Sequence, residues 1–199
     1  MLIIDAHTHI FPDKQAPSII QTTARMFNVR TYGRATASDL LLQMDENGIS
    51  HAVIHMVAPF SSAVTDLNTW LINLKQERFI KSGTLHPRLK NIANEIKRLK
   101  DNNIGIVKFQ PDVQQFTPDD KDLTYPIYEA LARHNMVVTF HVGGEPYPGP
   151  DDRSKPYMIR NIAKDFPQLR IIAAHLGGLN MWEQVYEVLA GLPNIYMES

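Results

Sequence analysis

The sequence predicts an α/β protein built as a (β/α)8 barrel, and three observations carry that expectation. First, apolar β-branched runs alternate with amphipathic stretches along the whole chain, giving seven strands and six helices. Strands that are apolar almost throughout, rather than on alternate residues, belong to a parallel sheet covered by helices. Second, the conspicuous polar residues His7, His9, His55, His86, Lys108, His141 and His175 fall at or near the C-terminal ends of strands. Side chains from many strand ends converge at one mouth of a barrel, whereas an open sheet gathers them at one crevice. Third, no glycine-rich phosphate-binding turn follows the first strand, where a doubly wound dinucleotide fold would carry it. No linker or shift in composition divides the chain, so residues 1–199 are expected to form one domain, with the eighth strand missing from it.

Each element follows from its own pattern. The opening stretch Ile3-Ile4-Asp5-Ala6-His7-Thr8-His9-Ile10-Phe11 reads as a short strand. Side chains alternate along a strand, so His7 and His9 share a face and Thr8 turns away. Two imidazoles placed in this way can reach one metal ion at about 2.0–2.1 Å. Residues 12–36 read as a long loop with a short helix near 18–27; loops of that length inside a domain are usually lids or insertions. Thr36-Ala37-Ser38-Asp39 offers caps for a helix over 40–47, which Gly48 stops. His51-Ala52-Val53-Ile54-His55-Met56-Val57 is a buried strand, followed by a helix over 65–78 and a weaker strand over 79–85 that His86-Pro87 breaks. The helix over 89–101 places Ile92, Ile96 and Leu99 on one face. A strand over 104–109 ends at Pro111 and gives way to a polar loop up to Asp122. A helix over 125–134 leads to the strand over 136–142, a loop over 145–156 rich in Pro and Gly, and a helix over 157–166. The strand over 169–175, a helix over 181–189 and the strand begun by Ile195-Tyr196-Met197-Glu198 complete the pattern.

Composition narrows the function. With 199 residues, 44% of them apolar and 21% charged, the chain can bury a large core. A net charge of −1 supplies no bulk attraction to nucleic acid or an anionic membrane. The sequence holds no cysteine, which excludes disulfides, thiolate metal sites and a cysteine nucleophile. Any metal must therefore be held by His, Asp, Glu, carbonyl or water. No run approaches the roughly 18 apolar residues of a membrane span and no leader pattern opens the sequence, so a cytoplasmic location is expected.

His141 and His175 each end a strand and are each followed by paired glycines, Gly143-Gly144 and Gly177-Gly178. Glycines there let the backbone turn sharply beside a ligand. In a barrel these imidazoles meet those of the first strand. His7, His9 and His141 are the expected metal ligands, with His175 either a further ligand or a proton-transfer group beside the metal. Lys108 lies inside an apolar strand, where an ammonium is costly unless paired. Its tip reaches the wet mouth of the barrel, contacts a substrate carboxylate, or is carbamylated and bridges two metals. His55 faces either the barrel or a helix. His86 precedes Pro87 in a loop, where a polar residue needs no account. His51 and His134 read as surface or helix-end residues, and Glu145 as an exposed loop residue near the site.

Taken together, Asp5-Ala6-His7-Thr8-His9, Gly105-Ile106-Val107-Lys108-Phe109, Thr139-Phe140-His141-Val142-Gly143 and Ala174-His175-Leu176-Gly177-Gly178 resemble, in order, the motifs of the amidohydrolase superfamily. The nearest branch is the amidohydrolase-related group that includes aminocarboxymuconate-semialdehyde decarboxylase. The resemblance implies a metal-binding TIM barrel in which His7, His9 and His141 are ligands. It implies that His175 holds or activates the metal-bound water or binds a second metal. Lys108 matches the position that is a carbamylated bridge in binuclear members, and it differs from the glutamate of TatD-type deoxyribonucleases. The implied cofactor is a divalent ion, zinc first, with two ions if Lys108 is carbamylated. The implied activity is hydrolysis of a small carboxylate, amide, ester or lactone by a metal-activated water. The alternatives are a non-oxidative decarboxylase of the same superfamily or a barrel that binds metal without chemistry. The family pattern also carries an aspartate at the end of an eighth strand, as ligand and general base. Barrels of this type run to about 250 residues, so a truncated barrel with an open seam between strands seven and one is expected. The implied partner is a small-molecule substrate, with no nucleic acid or membrane, and the apolar pair Met181-Trp182 is the candidate face for a homodimer.

Overall fold

The computed structural model describes residues 1–144 and 153–199. Its strands are β1 (Ile4–Thr8), β2 (His51–His55), β3 (Phe79–Thr84), β4 (Ile106–Phe109), β5 (Val137–Phe140), β6 (Arg170–Ala173) and β7 (Ile195–Met197). They form one sheet in the order β1 to β7, every neighbouring pair parallel. A doubly wound sheet reverses the direction of strand addition at a switch point. This sheet never reverses, so it has the strand order of a (β/α)8 barrel, with seven strands among the described residues.

The helices are α1 (Ala16–Phe27), α2 (Ala37–Glu46), α3 (Val64–Asn73), α4 (Ile92–Asp101), α5 (Pro111–Gln114), α6 (Tyr125–Arg133), α7 (Pro156–Asp165) and α8 (Trp182–Val188). None is long and apolar enough to cross a membrane. The short helix expected near 18–27 within the 12–36 loop is α1, which starts two residues earlier, with a proline in its first turn and Asn28 in the left-handed conformation at its end. α3 stops short of residue 78 because the backbone turns extended at Leu74. The expected loop after β4 contains α5, whose Gln114 side chain donates to the carbonyls of Ala58 and Leu85 at 3.0 and 2.7 Å. His86, expected as an unremarkable loop residue, is buried, and its Nδ1 accepts from Arg88 N at 3.1 Å.

The apolar core lies outside the sheet, between strands and helices. Ala52, Ile54, Val107, Phe109, Val138, Phe140, Ile171 and Ala173 point outward and are fully buried under Leu71, Ile96, Leu99, Leu131, Ile159 and Ile162 of the helices. The alternate residues face inward, and those nearest the C-terminal ends of β2 to β5 are polar. Register joins His55 to Ser82, Thr84 to Lys108 and Lys108 to Thr139, and all five are buried. The sequence pattern thus sorts apolar side chains into the helix layer and places the titratable ones inside the barrel.

β1 and β7 are the edges of the sheet, and no described strand pairs with their outer sides. Ile3, Ile4, Tyr196 and Met197 are exposed along these edges. The ends of the two strands nevertheless meet, because His7 and Glu198 are in contact.

Gly143 adopts φ +94°, and a Cβ there would overlap the backbone N and O of Leu179. Gly143→Ala is expected to cost roughly 2 kcal/mol or more through strain and displaced backbone. Urea denaturation monitored by circular dichroism measures this loss; an unchanged midpoint would contradict it.

Candidate metal centre

The C-terminal mouth of the sheet gathers the residues singled out by the sequence. His7 lies in β1, and His9 follows it by two residues. A register shift between Asp5 and Thr8 marks a bulge in β1 against β2. Thr8 turns away from the mouth and donates its hydroxyl to Val53 O at 2.7 Å. The Nε2 atoms of His7 and His9 face each other at 3.2 Å. Lys108 of β4 brings its Nζ to 3.5 Å from His7 Nε2. His175, just beyond β6, stacks on His7 with ring centroids 5.0 Å apart and 25° between planes. His141, just beyond β5, lies beside His175, with His141 Nδ1 and His175 Nε2 at 2.9 Å. His7, His9, Lys108, His141 and His175 therefore form one group. His55 of β2 faces the barrel and joins them, its ring centroid 4.8 Å from that of His7. No described contact ties His86 to the group, and His134 is exposed at the end of α6. Glu145 lies outside the described residues.

Hydrogen bonds assign the ring protons. His9 Nδ1 faces His55 O at 2.9 Å, and His7 Nδ1 faces the Glu198 carboxylate at 2.7 Å. Both partners are acceptors only, so in the neutral rings the proton sits on Nδ1 and the lone pair on Nε2. Burial, then the charges of His7 and Lys108, push the His9 pKa down to about 3. Burial and Lys108 lower His141 to about 2, and burial, Lys108 and His7 lower His175 to about 4. His55 is held well below its ordinary value by burial and Lys108. These four rings are neutral at pH 7.

Such an arrangement fits a divalent ion. Two ligand atoms at about 2.0–2.1 Å from one tetrahedral ion stand about 3.3 Å apart. The 3.2 Å separation of the His7 and His9 Nε2 atoms matches that value. Ligand imidazoles also typically give their second N–H to a carboxylate or a backbone carbonyl, and His7 and His9 do one each. A second grouping, His7, His175 and Glu198, offers one ligand atom each within 4.8 Å. There, however, the His7 Nδ1–Glu198 distance of 2.7 Å suits a shared proton rather than two ligands flanking an ion.

Glu198 is the residue that sequence reasoning missed. It directly follows β7, is buried, and accepts from His7 Nδ1 and from the His175 backbone N at 3.3 Å. Tyr196 is in register with Ile172, and Ile172 with Thr139. Counting two onward from Tyr196 places Glu198 on the inward face with Lys108. That inward register, followed across the sheet, was the available signal.

Sequential parallel strands and a polar mouth at their C-terminal ends define the class, a (β/α)-barrel of the enzyme-bearing type. Its family is settled by sequence: the amidohydrolase family model matches residues 4–199, and the chain belongs to that family. No curated protein matches the chain. Solved structures of similar fold include an uncharacterized TIM-barrel protein from Bordetella bronchiseptica, with a TM-score of 0.70 at 19% identity over 99% of this chain and 74% of that one. A probable 2-pyrone-4,6-dicarboxylic acid hydrolase from Acinetobacter baumannii has a TM-score of 0.64 at 16% identity, over 99% and 69%. A dihydroxybenzoic acid decarboxylase from Polaromonas sp. JS666, solved with manganese and 2-nitroresorcinol, has 0.65 at 14%, over 98% and 77%. The superfamily holds both hydrolases and decarboxylases, and its members bind divalent metals.

The depressed histidines fix the direction of a pH effect. In the unfolded chain they protonate near 6.5, whereas in the folded chain His175, His9 and His141 resist protonation down to about 4, 3 and 2. Between these values the unfolded state binds more protons, so stability falls as pH drops below about 6.5. Urea midpoints of metal-free protein from pH 7.5 to 4.5 should fall steadily, and His9→Asn with His141→Asn should flatten the slope. A midpoint that is level or rises on acidification would contradict this.

Proposed function

We propose that this chain is a metal-dependent hydrolase of the amidohydrolase superfamily, acting in the cytoplasm on a small carboxylate, amide, ester or lactone. The observation that carries the reading is the His7–His9 pair, whose Nε2 atoms face each other at 3.2 Å while both Nδ1 atoms meet acceptors. His7, His9 and His141 are the proposed ligands of a divalent ion, zinc first, with His175 as a fourth ligand or its neighbour. When bound, the ion polarises a carbonyl and lowers the pKa of water toward about 7.

The chain's own residues do the rest. His175 is neutral and only partly buried, and its contact with His141 gives it a route to pass or hold a proton. Lys108 places its Nζ against His7, where an ammonium holds a substrate carboxylate by charge. Carbamylated, the same side chain would be anionic and would support a second ion. A cleft beside His9, lined by Ile10, Tyr32, Ala35 and Leu40, offers room for the body of a small substrate. The balance of charge, −1, favours a small molecule over nucleic acid. Trp182, exposed beside Met181, is the proposed homodimer contact.

Decarboxylation is the second reading, and Lys108 favours it: a cation beside the proposed metal ligands is what a substrate bearing a carboxylate on the cleaved bond requires. Water labelled with ¹⁸O separates the two, since hydrolysis puts the label into the organic product, whereas decarboxylation releases carbon dioxide and leaves the organic product unlabelled.

Elemental analysis of purified protein is expected to find one divalent ion per chain, or two with a carbamylated Lys108. His7→Ala with His9→Ala should abolish both metal and turnover across a panel of small carboxylates, amides, esters and lactones. A metal-free wild type, or a double variant with wild-type turnover, would sink the proposal.

A further inference from the structure

Among the described residues, Glu198 brings a carboxylate into direct contact with the imidazole cluster at the mouth. Its side chain is 7% exposed, and Oε1 lies 2.7 Å from His7 Nδ1. Oε2 is buried with no hydrogen-bond partner among the described residues. A buried carboxylate with one idle oxygen is expensive unless its charge is used. Here the carboxylate is used on His7, whose ring nitrogen Nδ1 it meets at 2.7 Å.

The carboxylate is also held rigidly. Leu176 N donates to Glu198 O at 2.7 Å, and His175 N donates to Oε1. His175 and Leu176 both adopt the left-handed conformation, with φ 60° and 54°. That corner fixes Glu198 against β6, so Glu198 in turn fixes His7 across the gap between β7 and β1.

We propose that Glu198 is the positioning residue of the metal site: it accepts the Nδ1–H of His7, holds that ring with its Nε2 lone pair toward His9, and thereby sets the affinity for a divalent cation. The inference rests on the proposed metal site and adds to it a partner for His7 that lies off the metal-facing side. Without the carboxylate, the proton is free to move to Nε2, where it blocks coordination. Loss of a partner of this kind typically costs 10–100-fold in metal affinity.

Two measurements on the 199-residue chain test it. In metal-free protein, long-range ¹H–¹⁵N spectra of the histidine rings report which nitrogen of His7 carries the proton. Wild type should show Nδ1–H, and Glu198→Ala should show a mixture or Nε2–H. Cobalt(II) titration, read by its visible absorption, should show binding weakened about 10–100-fold in Glu198→Gln and at least as much in Glu198→Ala. Gln keeps the size of the side chain and an acceptor for His175 N, so its urea midpoint separates lost affinity from lost folding. Wild-type protein carrying the His7 proton on Nε2 overturns the inference, and that test holds even if both variants unfold. Glu198→Gln binding cobalt as tightly as wild type also overturns it, while leaving the metal site intact. Wild type that binds no cobalt overturns the metal site and the inference together. If Glu198→Gln abolishes binding and His9→Ala does not, the inference is overturned in favour of an ion held by His7, His175 and Glu198.

Discussion

Everything at the mouth of this barrel depends on one constraint: several imidazoles and the Lys108 side chain are buried together, with Glu198 the carboxylate that touches them among the described residues. Burial and Lys108 drive His55, His141 and His175 toward neutrality, and burial, with the charges of His7 and Lys108, does the same to His9. A neutral imidazole is a lone-pair donor with a proton on its other side. Each ring must therefore find an acceptor for the proton and something electron-poor for the lone pair. Backbone carbonyls and the Glu198 carboxylate meet the first need for His9 and His7. The second need is what makes the cluster suited to a cation.

The sheet can bear this cost because it keeps its stabilising contacts elsewhere. Side chains on the outer face of each strand pack under helices, with Phe109, Tyr128 and Phe140 in mutual edge and stacked contact. Tyr128 lends its hydroxyl to Pro118 O at 2.8 Å, so even the polar atom in that layer is satisfied. A second polar knot supports the end of β3: Asn68 donates to Thr84 O and to Glu95, and Arg98 closes on Glu95 at 2.6 Å. The interior is thereby released from the work of holding the fold together and can be polar.

Most of the barrel was legible because its strands and helices differ in period and because the chemistry sits where strands end. His7, His9, Lys108, His141 and His175 could be placed at a common mouth from strand-end position alone, and the structure brings them together. Glu198 was not legible in the same way. A single acid after a short last strand carries no local signal, and its meaning comes from a contact 191 positions away along the chain. His55 was ambiguous because an apolar strand does not announce which face is inside; register with Ser82 resolves it. α5 and the burial of His86 were missed because both depend on tertiary packing: Gln114 and Pro111 seal the turn after β4, and no periodic pattern records that.

The bulge in β1 has a consequence of its own. One extra residue between Asp5 and Thr8 shifts the phase of the strand midway. The half that pairs with Ala52 and the half that carries the imidazoles therefore follow separate alternation, as two rulers joined with an offset. The face that His7 and His9 present is thus set after the offset, and not by the pairing of Ile4 and Asp5 with β2.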